Sequence, residues 1–372
     1  MKNKNYLNFR YDKGKILVKS FINGAYNLDI IDEFPMSYFI PTNQTSKYKT
    51  MNGTDLYPMF EKNVTQYYNQ IYKNKQGKDV YGNIAPDLQY ILRTYFTKDD
   101  ILNETEEKAQ QFISNFRITF YDIEVYEPRF NPTHTNPISP IYMISYKYRP
   151  TGEIRVLGIR DLTEDLDYYM KFDNEKEMLL YWFSILDKTD LLVGWFNRFF
   201  DTPYVFARAR YLFKDDTLIR SYLPFESFQF KKESTKFGEK EYVDIPGITE
   251  YDYIDLMKSY DKKMKSYKLG YVAQKIIGET KLEYDGKICD FLENEYTKAV
   301  KYNYQDTNLV DKIDVKKEHI KKALLQSFQC IVSPENATKQ ILKWETLFLK
   351  EVLKDDTDYL DLLFDNDILS EI

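Results

Sequence analysis

Apolar residues recur along the chain with two different periods, and the change from one to the other divides it. Over residues 1–114, short aromatic-rich runs such as YLNFRYDKGKILVKSFING alternate with Gly and Asn turns, the period of strands, and a helical stretch follows near 65–72. From about 115 the two periods interleave. The pattern predicts strands over 117–126, 140–148 and 154–159, a helix over 174–187, a buried strand over 190–195, and helices over 202–212 and 297–322. Such alternation implies one α/β domain over 115–330, a mixed sheet with flanking helices, beside a smaller β-rich α+β domain. FQFKKESTKFGEKEYVD, 228–244, reads as a β-hairpin with its tip near Phe237 and Gly238. Over 331–372, Ile341, Trp344, Phe348 and Val352 fall at helical spacing, and Leu360, Leu363, Phe364 and Ile368 continue the stripe. An apolar stripe needs a surface to cover, and the first domain is the expected one.

Three short stretches break this patterning with acids. In RITFYDIEVY, alternation puts Asp122 and Glu124 on one strand face and Tyr121, Ile123 and Val125 on the other. Two like charges so close are costly unless a cation or water faces them. In GWFNRFFDTPY, Asp201 precedes Pro203 beside the buried strand, a position that a helix cap also explains. In YNYQDTNLV, Tyr302 and Asp306 are one helical turn apart. Singly, a solvated strand face, a cap and an exposed helix pair account for them.

Composition removes several chemistries. The chain has 372 residues, enough for two domains, with 43% hydrophobic and 30% charged residues. Its two histidines, His134 and His319, lie in a Pro- and Asn-rich loop and a Lys-rich helical stretch, so neither a Ser-His-Asp triad nor a histidine zinc site is available. Any metal would be held by carboxylates. Cys289 and Cys330 form no CxxC pair, the start has no apolar leader, and no run has the roughly 18 apolar residues of a membrane span, so a reducing cytoplasm is expected. Net charge is −6. The segment from Glu351 onward contributes −7 of it, leaving local basic clusters at Lys258, Lys262, Lys263, Lys265 and Lys268 and at Lys231, Lys232, Lys236 and Lys240. These read either as solvated faces or as a phosphate-backbone track.

Taken in order, a DxE strand, an FDxPY turn about eighty residues on and a YxxxD helix about a hundred beyond form the signature of proofreading 3′-to-5′ exonucleases of the RNase H-like fold. The stretches ITEYDYIDLMKSY and SYKLGYVAQKIIGETKLEYDG follow with similar order and spacing, SKYKTMNGTDLYP resembles the family's N-terminal domain, and SPENATKQILKWETLFLKEVL its return to that domain. The chain thus resembles the N-terminal and exonuclease region of family B DNA polymerases of the T-even bacteriophage type. That resemblance implies two Mg²⁺ or Mn²⁺ ions, with Asp122, Glu124 and Asp306 holding the first, Asp122 and Asp201 the second, and Tyr302 orienting water or phosphate. It places Phe130 where an aromatic stacks on the frayed 3′ end, Phe200 beside the metals, and Gly238 at the tip of a strand-separating hairpin, while Lys265 is taken as a DNA contact from its basic cluster alone. It implies DNA as substrate, the cytoplasm of a phage-infected bacterium, and a separate polymerase-core chain (palm, fingers and thumb) as partner.

One position departs from the family. After Gly194 and an aromatic, the usual Asn is replaced by Phe196, and Asn197 comes one later. Either the backbone shifts to present Asn197, or Phe196 stacks on a base. Palm motifs are lacking: DTD occurs at 356–358 without its serine or a preceding apolar strand, and no GxxxxGK[ST] loop exists. A truncated piece or one product of a split gene is therefore expected. The alternative to an enzyme is a non-catalytic nucleic-acid-binding or structural subunit of a replicative polymerase.

Overall fold

The structure is a computed structural model that describes residues 4–50, 52–73, 80–82, 84–103, 105–235, 238–261, 263–355 and 362–363. Phe237 at the expected hairpin tip, Lys236 and Lys262 of the basic clusters, the 356–358 DTD triplet and the acidic tail beyond it, apart from 362 and 363, lie outside the described residues. Two compact units divide the chain, residues 1–115 with 323–372, and residues 116–322. The second boundary falls at 322/323, inside a helix, where the sequence pattern put it at 330/331.

The first unit opens with an antiparallel meander, β1 (Lys4–Asp12), β2 (Lys15–Ile22) and β3 (Ala25–Ile31). Its two-residue turns, Lys13-Gly14 and Asn23-Gly24, have positive φ at both positions, the geometry that matches strand twist. A second hairpin pairs β4 (Glu33–Pro41) with β5 (Leu56–Asn63) and leads into α1 (Val64–Tyr68). Three helices that periodicity did not reveal follow, α2 (Pro86–Tyr95), α3 (Lys98–Leu102) and α4 (Glu106–Ser114). They are short, and Thr97 and Thr105 start the last two by capping.

The second unit is built on a six-stranded sheet. Its strands are β6 (Ile118–Val125), β7 (Ile141–Tyr148), β8 (Glu153–Gly158), β9 (Tyr169–Lys171), β10 (Leu191–Gly194) and, after the hairpin β11 (Gln229–Thr235) and β12 (Gly238–Asp244), β13 (Thr249–Asp252). The order is β13-β10-β6-β7-β8-β9, parallel on both sides of β10, antiparallel from β6 to β8 and parallel again at β9. This is the mixed sheet with flanking helices of an RNase H-like exonuclease domain. One face is covered by α5 (Glu175–Asp187) and α6 (Asp201–Phe213). Asn174 caps α5, its side chain accepting the Glu177 N–H at 3.1 Å, and Met178, Leu179, Trp182, Phe183 and Leu186 make the buried stripe. They pack with Tyr121, Ile123 and Val125 of β6 in one apolar core.

A short α7 (Thr217–Arg220) precedes the hairpin. After β13 come α8 (Tyr253–Tyr260), α9 (Leu269–Ile276), α10 (Ile288–Asn294) and α11 (Tyr296–Lys317), and α11 crosses the other sheet face. The helix predicted over 297–322 is in fact two. Glu318 adopts a left-handed conformation with φ 55°, and α12 (His319–Cys330) begins beyond it. Asp314 Oδ1 accepts the Ile320 N–H at 3.0 Å, so a side chain takes the place of a main-chain acceptor and a new helix starts although the apolar period continues.

Within the first unit the C-terminal residues return to the N-terminal strands. The Tyr6 hydroxyl donates to the Ser327 carbonyl at 3.0 Å, Arg10 pairs with Glu335 at 2.7 Å, and Phe112 meets Phe328 at 5.3 Å between ring centroids. The last described helix, α13 (Gln340–Asp355), buries Thr346, Leu353 and the stems of Lys343 and Lys350. Ile341, Trp344, Phe348 and Val352 instead face outward, so the stripe read from the sequence does not cover this unit's core. Among the described residues no helix is long and apolar enough to cross a membrane.

Candidate active site

β6 and α11 together form the site. Asp122 and Glu124 point from β6 to the face that α11 crosses, and a bulge beside Glu124, where β7 carries Tyr142 as an extra residue, bends the strand there. Ser145 of β7 fixes the helix by donating to the Asn303 carbonyl at 3.0 Å. This brings Asp306 over β6, and ligand atoms of Asp122, Glu124 and Asp306 all lie within 4.8 Å of one another. The acidic strand face is therefore half-buried beneath α11, with only Asp306 fully buried.

Asp201 arrives from the first turn of α6. Its Oδ1 accepts the backbone N–H of Ile123 at 3.2 Å, which turns the carboxylate toward β6, and the three-acid cluster does not include it. Burial first, and then the Asp201 and Asp306 charges, hold the Asp122 carboxyl well above the usual range, while burial and the charges of Asp122 and Asp306 do the same to Glu124. Burial, with Glu124 and Asp252, pushes Asp201 up to about 8, and burial lifts Asp306 to about 6. Burial and, for Asp122, Glu124 and Asp201, the neighbouring carboxylates favour the protonated forms until a cation takes the proton's place.

Two residues that the sequence reading did not select complete the cage. Asn303 Nδ2 donates to Asp122 Oδ2 at 2.7 Å, and helical spacing from Asp306 was its signal. Lys281 comes from the loop between α9 and α10, pairs with Asp306 Oδ2, and lies 4.3 Å from the Tyr302 ring centroid. No periodicity marks a loop lysine. Tyr302 is buried, and desolvation with the Asp306 and Glu124 charges raises its hydroxyl, keeping it a proton donor. A cavity of about 790 Å³ opens on the cage, lined by Asp122, Tyr302 and Asp306 with Trp195, Lys281 and Tyr284.

The residues expected to meet nucleic acid are placed unevenly. Phe130 is exposed on the loop after β6, with the Arg129 guanidinium 5.6 Å from its ring. Phe200 is half-buried against the α5/α6 core and stacks on Tyr204 at 5.9 Å. Gly238 starts β12 with φ 102°, and Lys265 is exposed between α8 and α9. Lys231 and Lys232 pair across the hairpin with Asp244 at 2.5 Å and Glu239 at 3.4 Å, and both stay exposed at the surface. Asn197 is fully buried, its amide donating to Glu250 Oε1 at 2.8 Å, whereas Phe196 is exposed. Of the two alternatives at that turn, the structure has the phenylalanine outside. Glu250 and Asp252, also unselected from sequence, lie behind the turn, raised by burial to about 7 and about 6.

The donor set suits hard divalent cations: carboxylate oxygens only, with Asp306 Oδ1 buried and without a hydrogen-bond partner. Residues 89–272 match a family described as DNA polymerase family B, exonuclease domain. The chain is 26% identical over 269 residues to the DNA-directed DNA polymerase of Escherichia phage RB69, covering 64% of this chain and 30% of that protein. It is 27% identical over 187 residues to that of Enterobacteria phage T4, covering 50% and 21%. With the DNA polymerase delta catalytic subunit of Schizosaccharomyces pombe it shares 31% identity over 218 residues, 55% and 20% of the two chains. The chain thus spans less than a third of the length of the relatives it matches. With Asp122, Glu124 and Asp306 clustered and Asp201 bonded to the β6 backbone beside them, these matches identify the chain as carrying an exonuclease region of the family B DNA polymerase type.

Proposed function

We propose that the chain is a metal-dependent 3′-to-5′ exodeoxyribonuclease, the proofreading module of a phage family B DNA polymerase, that removes 3′-terminal nucleotides as monophosphates from single-stranded or frayed ends. The observation that carries this reading is the cage itself: three carboxylates within 4.8 Å, a fourth beside them, and one unpartnered buried oxygen. Asp122, Glu124 and Asp306 would hold one ion, and Asp122 with Asp201 the second. Two such ions, when bound, supply the Lewis acidity that makes water nucleophilic and neutralises charge on the attacking and leaving oxygens of an in-line displacement.

The chain's own groups do the rest. The Tyr302 hydroxyl, kept protonated, would donate toward the water or the scissile phosphate, and Lys281, held beside it at Asp306, would offer positive charge to a non-bridging oxygen. Asn303 fixes the Asp122 carboxylate so that it needs no reorganisation on binding. A polymerase-core chain remains the proposed partner, since the relatives are more than three times longer than the region matched.

The inward turn of Asn197 favours a second reading, a non-catalytic DNA-binding subunit of a replicative polymerase. The intact acids weigh against it. A 5′-labelled oligonucleotide incubated with the purified chain separates the two: a one-nucleotide ladder that needs Mg²⁺ supports the exonuclease, and intact strand at every metal concentration overturns it.

A further inference from the structure

The turn after β10 is built inside out. Gly194 lies so close to Asn197 that a Cβ there would come within 2.6 Å of the Asn197 side chain, so the glycine is what allows the amide to tuck under the strand and bond Glu250. Phe196 is pushed to the outside, 45% exposed, in a left-handed conformation with φ 67° that bulky residues seldom take. Asp252 Oδ1 holds it there by accepting the Phe196 N–H at 3.1 Å. Across from it, the hairpin residue Lys240 sets its ammonium 5.0 Å from the Phe196 ring and 5.1 Å from the Phe199 ring. Arg198 completes the row, 4.2 Å from the Tyr242 ring. Trp195, the preceding residue, lines the cavity with Asp122 and Asp306. An exposed ring held in a strained backbone, flanked by a lysine and one residue from the acid cavity, has the make-up of a single-strand platform, where bases stack on aromatics and phosphates meet cations.

We infer that Phe196 is a specificity-determining residue on which a base at the 3′ end of the strand stacks, so that this chain engages its DNA end through base surface where the related exonucleases place an amide. The inference rests on the exonuclease reading. Because stacking grows with ring area, ends with purines are engaged more tightly than ends with pyrimidines, and an abasic end least.

The test uses the whole chain and 5′-labelled single strands ending in adenosine, cytidine or a tetrahydrofuran abasic residue. With Mg²⁺, KM is expected to rise several-fold from the first to the last. Phe196→Asn should erase that order and raise KM more than it lowers kcat, while Phe196→Trp keeps it. Asn readily adopts the left-handed conformation, so Phe196→Asn retains the turn, which an unchanged melting temperature checks. Separately, a strand with 2-aminopurine at its 3′ end, titrated in Ca²⁺, should be quenched by the natural chain and by Phe196→Trp but not by Phe196→Asn. Equal KM order and equal quenching in Phe196→Asn overturn the inference. Quenching that depends on Phe196 without any digestion in Mg²⁺ sustains it while removing the exonuclease reading.

Discussion

Helix α11 carries two groups of buried acids that meet opposite fates. At Asp306 it faces Asp122 and Glu124, with Lys281 as the cation among them. Further along, Asp311 is paired with Lys147 at 2.6 Å and with Arg149 at 2.6 Å, and Asp314 with Arg149 at 2.8 Å. The Tyr253 hydroxyl and the Ile320 N–H also donate to Asp314, at 3.1 and 3.0 Å. In this second group two cations and several donors answer two carboxylates, so its charge is settled within the chain. In the first, one lysine answers three carboxylates, with a fourth, Asp201, adjacent. Burial is common to both, and the balance of cations decides which group holds the fold and which is left to hold an ion.

The contrast can be broken most severely at the cage. Asp122→Ala with Glu124→Ala should lower Mg²⁺-dependent digestion by more than about a thousandfold. Digestion surviving in that double variant would show that the cage is not the site. A smaller, structural effect separates the two groups. Arg149→Met leaves Asp314 without its cation and Asp311 with Lys147 alone, and should cost about 3 kcal/mol of stability in chemical denaturation, with the metal response unchanged.

Metal should act on the first group alone. Saturating Mg²⁺ or Mn²⁺, at about a hundred times its Kd, adds about 2.7 kcal/mol. The gain should be larger at pH 8 than at pH 6. Acids with raised folded-state values bind protons more tightly folded than unfolded, so the metal-free chain loses stability as pH rises from the ordinary carboxyl range through Asp306 at about 6 and Asp201 at about 8. Thermal melts at both pH values, with and without metal, check the sign, and a metal gain that shrinks with pH would contradict it. The same neutralising substitution should also act oppositely in the two groups. Without metal, Asp311→Asn destabilises by about 2 kcal/mol, whereas Asp122→Asn relieves repulsion and stabilises by about 1 kcal/mol.

A last effect lies behind the site. Glu250 is raised from 4.5 to about 7, so it takes up a proton on folding and subtracts stability as pH climbs between those values. Glu250→Gln keeps an acceptor for Asn197 and Thr202 and should flatten that part of the stability profile by about 2 kcal/mol. An unaltered slope would place Glu250 in contact with water.

Much of this molecule was legible before its structure. Period-two and period-3.6 runs located β6, β7, β8, α5, β10 and α6, because burial of one face imposes those spacings, and of the acids that break the runs the fold clusters Asp122, Glu124 and Asp306. Elements whose start depends on a cap, such as α3, α4 and the break at Glu318, gave no such signal, since a single side-chain hydrogen bond decides them. The alternation in RITFYDIEVY determined by itself that Asp122 and Glu124 share a face. Only the tertiary structure decided that α11 covers that face, that Lys281 enters it, that Asn197 turns inward and Phe196 outward, and that the α13 stripe lies exposed. Local spacing fixes which residues are neighbours on one element. What stands opposite them depends on contacts between residues far apart in the chain, which no local period encodes.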